Sequence, residues 1–161
     1  MLVIEDFKKL VELSPIPAID LIMRDSENRV LLGRRKNAPA KNFLFVPGGR
    51  IFKGEKFFTA MRRIARSEIS IEIDISSIFL KGVYEHIYDD NFFGEFNLST
   101  HYIVSAMQLV IDDRQRESIL QDDQHSELLF MPEYQILNSN NVHEYVKSYF
   151  VDNPGNGVGC A

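Results

Sequence analysis

The chain of 161 residues has 45% apolar and 25% charged residues and a net charge of −5. That length suits one domain with a real core, no apolar run approaches the roughly 20 residues a membrane span needs, and the negative charge weighs against a nucleic-acid partner. The single Cys160 leaves no disulfide frame, and Met1 to Leu13 lacks a signal-peptide layout, so a reducing cytoplasm is expected.

The first predicted element is a short amphipathic helix over Val3 to Leu13, with Val3, Phe7, Leu10 and Val11 as its apolar residues. Ser14-Pro15-Ile16-Pro17 ends it. Ala18 to Arg24 and Arg29 to Arg35 read as strands of a hairpin joined at Asp25 to Asn28. Asp20 lies among Ala18, Ile19, Leu21 and Ile22, where an acid is either a paired structural group or part of a site. Lys36 to Asn42 is a loop, Phe43 to Val46 a short strand, and Pro47-Gly48-Gly49 a sharp turn. A helix follows from Lys56 to Ser70.

That helix holds one anomaly. With Phe57 at zero and roughly 100° per residue, Met61, Ile64 and Glu68 fall near 40°, 340° and 20°. Glu68 therefore lies in the middle of the apolar stripe, with Arg62, Arg63 and Arg66 on the other side. A buried carboxylate is costly unless it is paired or binds a metal. Beyond it, Ile71 to Ile75 is a strand or a loop, and Ile78 to Tyr88 and Leu98 to Ile111 are long, antiparallel strands. Asp112 to Asp123 reads as a loop with a helical turn, Gln124 to Phe130 as a strand, and Pro132 to Leu137 and Val142 to Val151 as helices. Residues 1–152 are expected to form one domain, and the glycine-rich 153–161 a mobile tail.

Gly49, Glu55, Arg63, Glu68 and Ile71 stand at the spacing of the pattern G-x5-E-x7-R-E-U-x-E-E-x-G-U, where U is aliphatic. The chain resembles the Nudix superfamily in this motif, but Ile64, Ser67 and Ser70 replace two glutamates and a glycine. That loss, together with Phe45 to Arg50, His86 to Asn91, Thr100-His101-Tyr102, Asp123-Gln124-His125 and Asn141-Val142-His143, is similar to the GDP-mannose mannosyl hydrolases. The resemblance implies an α/β (α+β) fold with a mixed sheet between helices, and a cytoplasmic homodimer that binds a GDP-sugar and neither nucleic acid nor membrane. It also implies hydrolysis of GDP-mannose, with GDP-glucose as a second substrate, by water attack at the anomeric carbon with inversion.

By the same resemblance one Mg2+, with Mn2+ as a substitute, is held by Glu68, the Gly49 carbonyl and Gln124. His125 is the general base, with His86 as the competing candidate. Arg35 and Arg50 hold the diphosphate, Asp20 binds or orients the sugar, and Tyr102 donates to a phosphate oxygen or the metal cluster. Each has a bland alternative. Glu68 could be ion-paired to an arginine, Gln124 a strand-edge residue and His125 a solvated side chain. Arg35 and Arg50 could be surface charges, Tyr102 a core aromatic and His86 a hydrogen-bonded strand residue. Arg63 is expected to tie the loop to the helix, and Phe7, Phe92 and Phe93 could contact guanine. Two other functions remain open: an ordinary Nudix pyrophosphatase, and a non-catalytic ligand sensor.

Overall fold

The computed structural model describes residues 3–121, 127–151 and 157–158. Helix α1 (Ile4–Leu13) leads into strand β1 (Ile16–Arg24), which is almost wholly buried. β2 (Val30–Arg34), β3 (Leu44–Phe45) and β4 (Gly48–Arg50) follow, and then α2 (Phe57–Ile69). The second half runs β5 (Phe79–Tyr88), β6 (Thr100–Val110), α3 (Asp113–Gln121), β7 (Leu128–Met131), α4 (Glu133–Asn138), α5 (Glu144–Ser148) and β8 (Gly157–Val158).

The sheet order is β3-β2-β1-β6-β5-β8, with β7 on β2 and β4 on β1. β1 and β6 run parallel from Ile16↔Tyr102 to Arg24↔Val110, while β5 and β6 are antiparallel. Side chains alternate across β1 because successive strand residues point to opposite faces. Ile19, Leu21 and Met23 join Met61, Ile64 and Ile69 of α2 and Ile119 of α3 in one core. Ile22 joins Ile136 of α4 and Val146 and Tyr149 at α5 in the other. The result is the mixed sheet between helices that the family resemblance implies.

Several local expectations need correction. Pro47-Gly48-Gly49 is not a sharp turn: Gly48–Arg50 pairs with β1 at Asp20↔Gly48, Ile19↔Gly49 and Ala18↔Arg50. Gly48 is required by close approach, since a Cβ there would collide with Asp20 Oδ1 and stand 2.9 Å from the Ile19 carbonyl. In Asp112 to Asp123, expected as a loop with a helical turn, the helical part extends to the whole of α3, whose Ile119 packs into the core. Residues 71–75, expected as a strand or a loop, take the loop alternative and lead into a 3-10 turn at Ile75–Ser77. The last helix is shorter than its apolar spacing, and β7 begins at Leu128. Ser70 takes the left-handed φ of 57° at the end of α2, the conformation a glycine would accept more readily. Of the expected tail, Gly157–Val158 pairs with β5, and the rest lies outside the described residues.

Candidate active site

β1 pairs with β2 at Arg24↔Val30, and with β4 at the other end of the strand. At this fork lies a cavity of about 400 Å³. Arg34, Arg35 and Lys36 line it, together with Gly48, Glu68, Tyr102, Phe7 and Phe92. Thus Arg35, Glu68 and Tyr102, far apart in the chain, meet in one concave, cation-rich space of the kind that takes small ligands.

Glu68 corrects the helical-wheel reading. The buried residues of α2 are Ala60, Met61, Ile64, Ala65 and Ile69, whereas Glu68 is exposed and faces the cavity. Its angle on the helix is right, but at this last turn the core takes Ile69 while Glu68 lines the cavity. Ile64, in place of a box glutamate, is buried against the first core. Ser67 is exposed and its hydroxyl donates to the Ile64 carbonyl.

A Cβ on Gly49 would stand 3.3 Å from Ile64 Cγ1, which places this backbone against α2 one turn before Glu68. A carboxylate and a main-chain carbonyl are hard oxygen donors, the chemistry that suits the Mg2+ the resemblance implies for Glu68 and Gly49. Among the described residues no three His, Cys, Asp or Glu side chains gather to hold a metal. Gln124 and His125 lie outside the described residues.

The box scaffold is tied by charge. Arg63 Nε and Nη2 donate to the two Glu55 carboxylate oxygens, each at 2.8 Å, and Nη2 also donates to the Arg50 carbonyl at 2.9 Å. The Arg63 bonds hold the Glu55 carboxyl below its usual range. Arg63 therefore ties the loop to the helix, as expected. Arg50 sits with its guanidinium 3.9 Å from the Phe7 ring centroid and 5.3 Å from that of Phe52. Its Nη1 is buried without a hydrogen-bond partner among the described residues, and burial lowers the basicity of the group. The residues that line the cavity include Arg35 and Phe7 but not Arg50. Arg35 is anchored by a 2.8 Å bond from Nε to the Pro39 carbonyl and lies over Phe45.

Asp20 and His86 lie behind the cavity wall. Asp20 is 7% exposed, and burial pushes its pKa up to about 6 against the opposing pull of the Tyr149 hydrogen bond and the Arg35 charge. His86 is 2% exposed; burial, then the fields of His143 and Arg35, push it down to about 3. Its ring stacks on Tyr145 at 4.3 Å. A neutral imidazole in this place is a positioned hydrogen-bond partner and not an exposed base. Tyr102 lines the cavity, its pKa raised by burial and drawn back by Arg35 and Arg50. Tyr149 falls in the expected helix Val142 to Val151 and lies at the C-terminal cap of α5. Its hydroxyl donates to Asp20 Oδ2 at 2.5 Å, and no local pattern could have found a partner 129 residues away.

The NUDIX domain profile matches residues 14–150 of the chain. The low-salt glycan biosynthesis protein Agl8 of Haloferax volcanii is 36% identical over 146 residues, covering 90% of this chain and 86% of that protein. The MutT NUDIX hydrolase from Burkholderia pseudomallei superposes with a TM-score of 0.63 at 20% identity, covering 84% of this chain and 95% of that one. The NUDIX domain of Shewanella oneidensis NrtR, solved with ADP ribose, gives a TM-score of 0.59 at 12% identity over 92% of this chain and 97% of that one. Among the described residues no helix is long and apolar enough to cross a membrane.

Proposed function

Because the chain belongs to the NUDIX family of hydrolases, we propose that residues 1–152 form a domain that hydrolyses GDP-mannose, or GDP-glucose, to GDP and free sugar. The observation that carries this reading is the charge layout of the cavity. Its wall presents Arg34, Arg35 and Lys36 with Glu68 as the one carboxylate of the lining among the described residues, while the box positions 64 and 67 hold a buried isoleucine and a serine. Several metal ions activating water at phosphorus need several acids. Departure of a nucleoside diphosphate from carbon needs mainly neutralisation of the leaving group.

Water attacks the anomeric carbon from the face opposite the diphosphate. The C–O bond breaks, its electron pair leaves with GDP, and the water proton passes to His125. Arg35 and the unpaired Nη1 of Arg50 hold the diphosphate oxygens, with Tyr102 as a further donor. Asp20 orients the sugar side of the site. Glu68, the Gly49 carbonyl and Gln124 would hold Mg2+, with Mn2+ as a substitute, and when bound it supplies positive charge for the departing diphosphate. The Haloferax volcanii relative is named for glycan biosynthesis, which supports a place in nucleotide-sugar metabolism; a cytoplasmic homodimer accompanies this reading.

Hydrolysis of GDP-mannose in water enriched in heavy oxygen tests it. Label in mannose, with GDP as co-product, is expected. Label in phosphate, with mannose 1-phosphate and GMP, would establish the pyrophosphatase reaction instead.

A further inference from the structure

Asp20, Tyr149 and His86 form a buried chain that reaches from the C-terminal end of α5 to the cavity wall. We propose that Tyr149 is a positioning residue of the hydrolytic site and acts through the Asp20 carboxylate. This rests on the reading of the cavity as a hydrolase site, but not on which bond is broken there.

Tyr149 is 1% exposed. Its hydroxyl donates to Asp20 Oδ2 at 2.5 Å and lies 3.1 Å from His86 Nε2. A tyrosine hydroxyl has one proton. With that proton given to Asp20, the His86 contact is satisfied only if Nε2 carries a hydrogen and donates to the tyrosine oxygen. The chain therefore has a direction, His86 to Tyr149 to Asp20, and it selects the neutral Nε2–H tautomer.

Packing holds each member still. The Tyr149 ring meets Tyr84 edge-on at 4.7 Å. His86 is stacked on Tyr145 with 4° between the planes. The Tyr145 hydroxyl in turn donates to the Ile87 carbonyl at 2.6 Å and accepts from the Ile87 amide at 3.0 Å, pinning it to β5.

The other Asp20 oxygen carries the consequence to the site. Oδ1 lies where a Cβ on Gly48 would stand, and Gly48 lines the cavity. By binding Oδ2, Tyr149 turns Oδ1 toward that wall. A buried tyrosine that merely filled space would not need its hydroxyl. A glycine that merely formed a strand would not need to clear room for a carboxylate.

The test uses the full-length protein with Mg2+ and GDP-mannose. Tyr149→Phe keeps the ring and removes the hydroxyl. Its kcat is expected to fall roughly 10- to 100-fold, with the Kd for GDP changed by less than about threefold. The double variant Asp20→Asn/Tyr149→Phe is expected to turn over no more slowly than Asp20→Asn alone, because the tyrosine acts through the aspartate. Unchanged kcat in a folded Tyr149→Phe, or effects that multiply in the double variant, would overturn the proposal.

If Tyr149→Phe does not fold, 3-fluorotyrosine at position 149 retains the ring and makes the hydroxyl more acidic. A shifted pH profile of kcat then supports the proposal and an unshifted one overturns it. Heavy-oxygen label appearing in phosphate with the wild-type protein would reject C–O cleavage alone, and the same variant cycle is then read on diphosphate cleavage.

Discussion

Gly48→Ala tests the central packing relationship of the site. The added Cβ would collide with Asp20 Oδ1, stand 3.2 Å from Asp20 Cγ and lie 2.9 Å from the Ile19 carbonyl. Neither neighbour is the free end of a long side chain. Ile19 belongs to the nine-pair parallel ladder with β6, and the Asp20 carboxylate is tied to Tyr149. Relief requires the carboxylate to leave its hydroxyl partner or β4 to lift from β1. Overpacking of this kind costs about 1–3 kcal/mol, and a buried carboxylate that loses its donor adds about 1–3 kcal/mol. The expected loss is therefore about 2–6 kcal/mol, or roughly 4–24 °C in Tm for a domain of this size.

Thermal unfolding is the assay, with two glycine controls. Gly49→Ala meets only Ile64 side-chain atoms, at 3.3 and 3.6 Å, which can yield. Gly54→Ala has nothing within 4 Å and carries only the left-handed strain of its φ of 80°, about 1–2 kcal/mol. In an Asp20→Ala background, Gly48→Ala should become milder by at least about 1 kcal/mol, since the carboxylate that it strikes is gone. A Gly48→Ala protein as stable as Gly49→Ala, or a cycle with no coupling, would refute the reasoning.

Glu68→Gln should raise the Mg2+ concentration for half-maximal activity by roughly tenfold or more, while Tm stays within about 2 °C because the side chain is exposed; a titration of activity against Mg2+ checks the first and thermal unfolding the second. Arg63→Met removes both bonds to Glu55 and the bond to the Arg50 carbonyl. It should lower stability by about 1–3 kcal/mol and also reduce turnover, because the loop that carries Arg50 loses its tie; urea unfolding and kcat report the two effects. Stability should also follow pH in two opposing windows. His86 has its folded pKa depressed to about 3, so its contribution is full above the ordinary histidine range and lost as pH falls toward 3. Asp20 has its folded pKa raised to about 6, so its contribution is full below the ordinary carboxylate range and lost as pH rises through 6. His86→Gln should therefore flatten the acid-side fall of Tm between pH 6 and 3, and an unchanged slope would remove His86 as its source.

The parts of this protein legible in the sequence are those set by short-range geometry. Glu55 and Arg63 are eight residues apart, and the loop-to-helix spacing is enough to bring them together. The apolar period of α2 names its buried face, since Met61, Ile64 and Ala65 repeat at the helical spacing. The alternation and length of β5 and β6 likewise announce an antiparallel pair.

Tertiary structure decided what lies across those elements. A helical wheel gives the direction of Glu68 but not what faces it, and the fork between β2 and β4 turned an expected buried acid into a cavity carboxylate. A pair of glycines reads as a turn from local conformational freedom, while the need for Gly48 comes from Asp20 on a neighbouring strand. The partnership of Tyr149 with Asp20 spans 129 residues and exists only because α5 closes over the same sheet face as that strand residue. Local propensity carries no record of such a contact, because it arises from packing two elements whose own patterns are each satisfied without it.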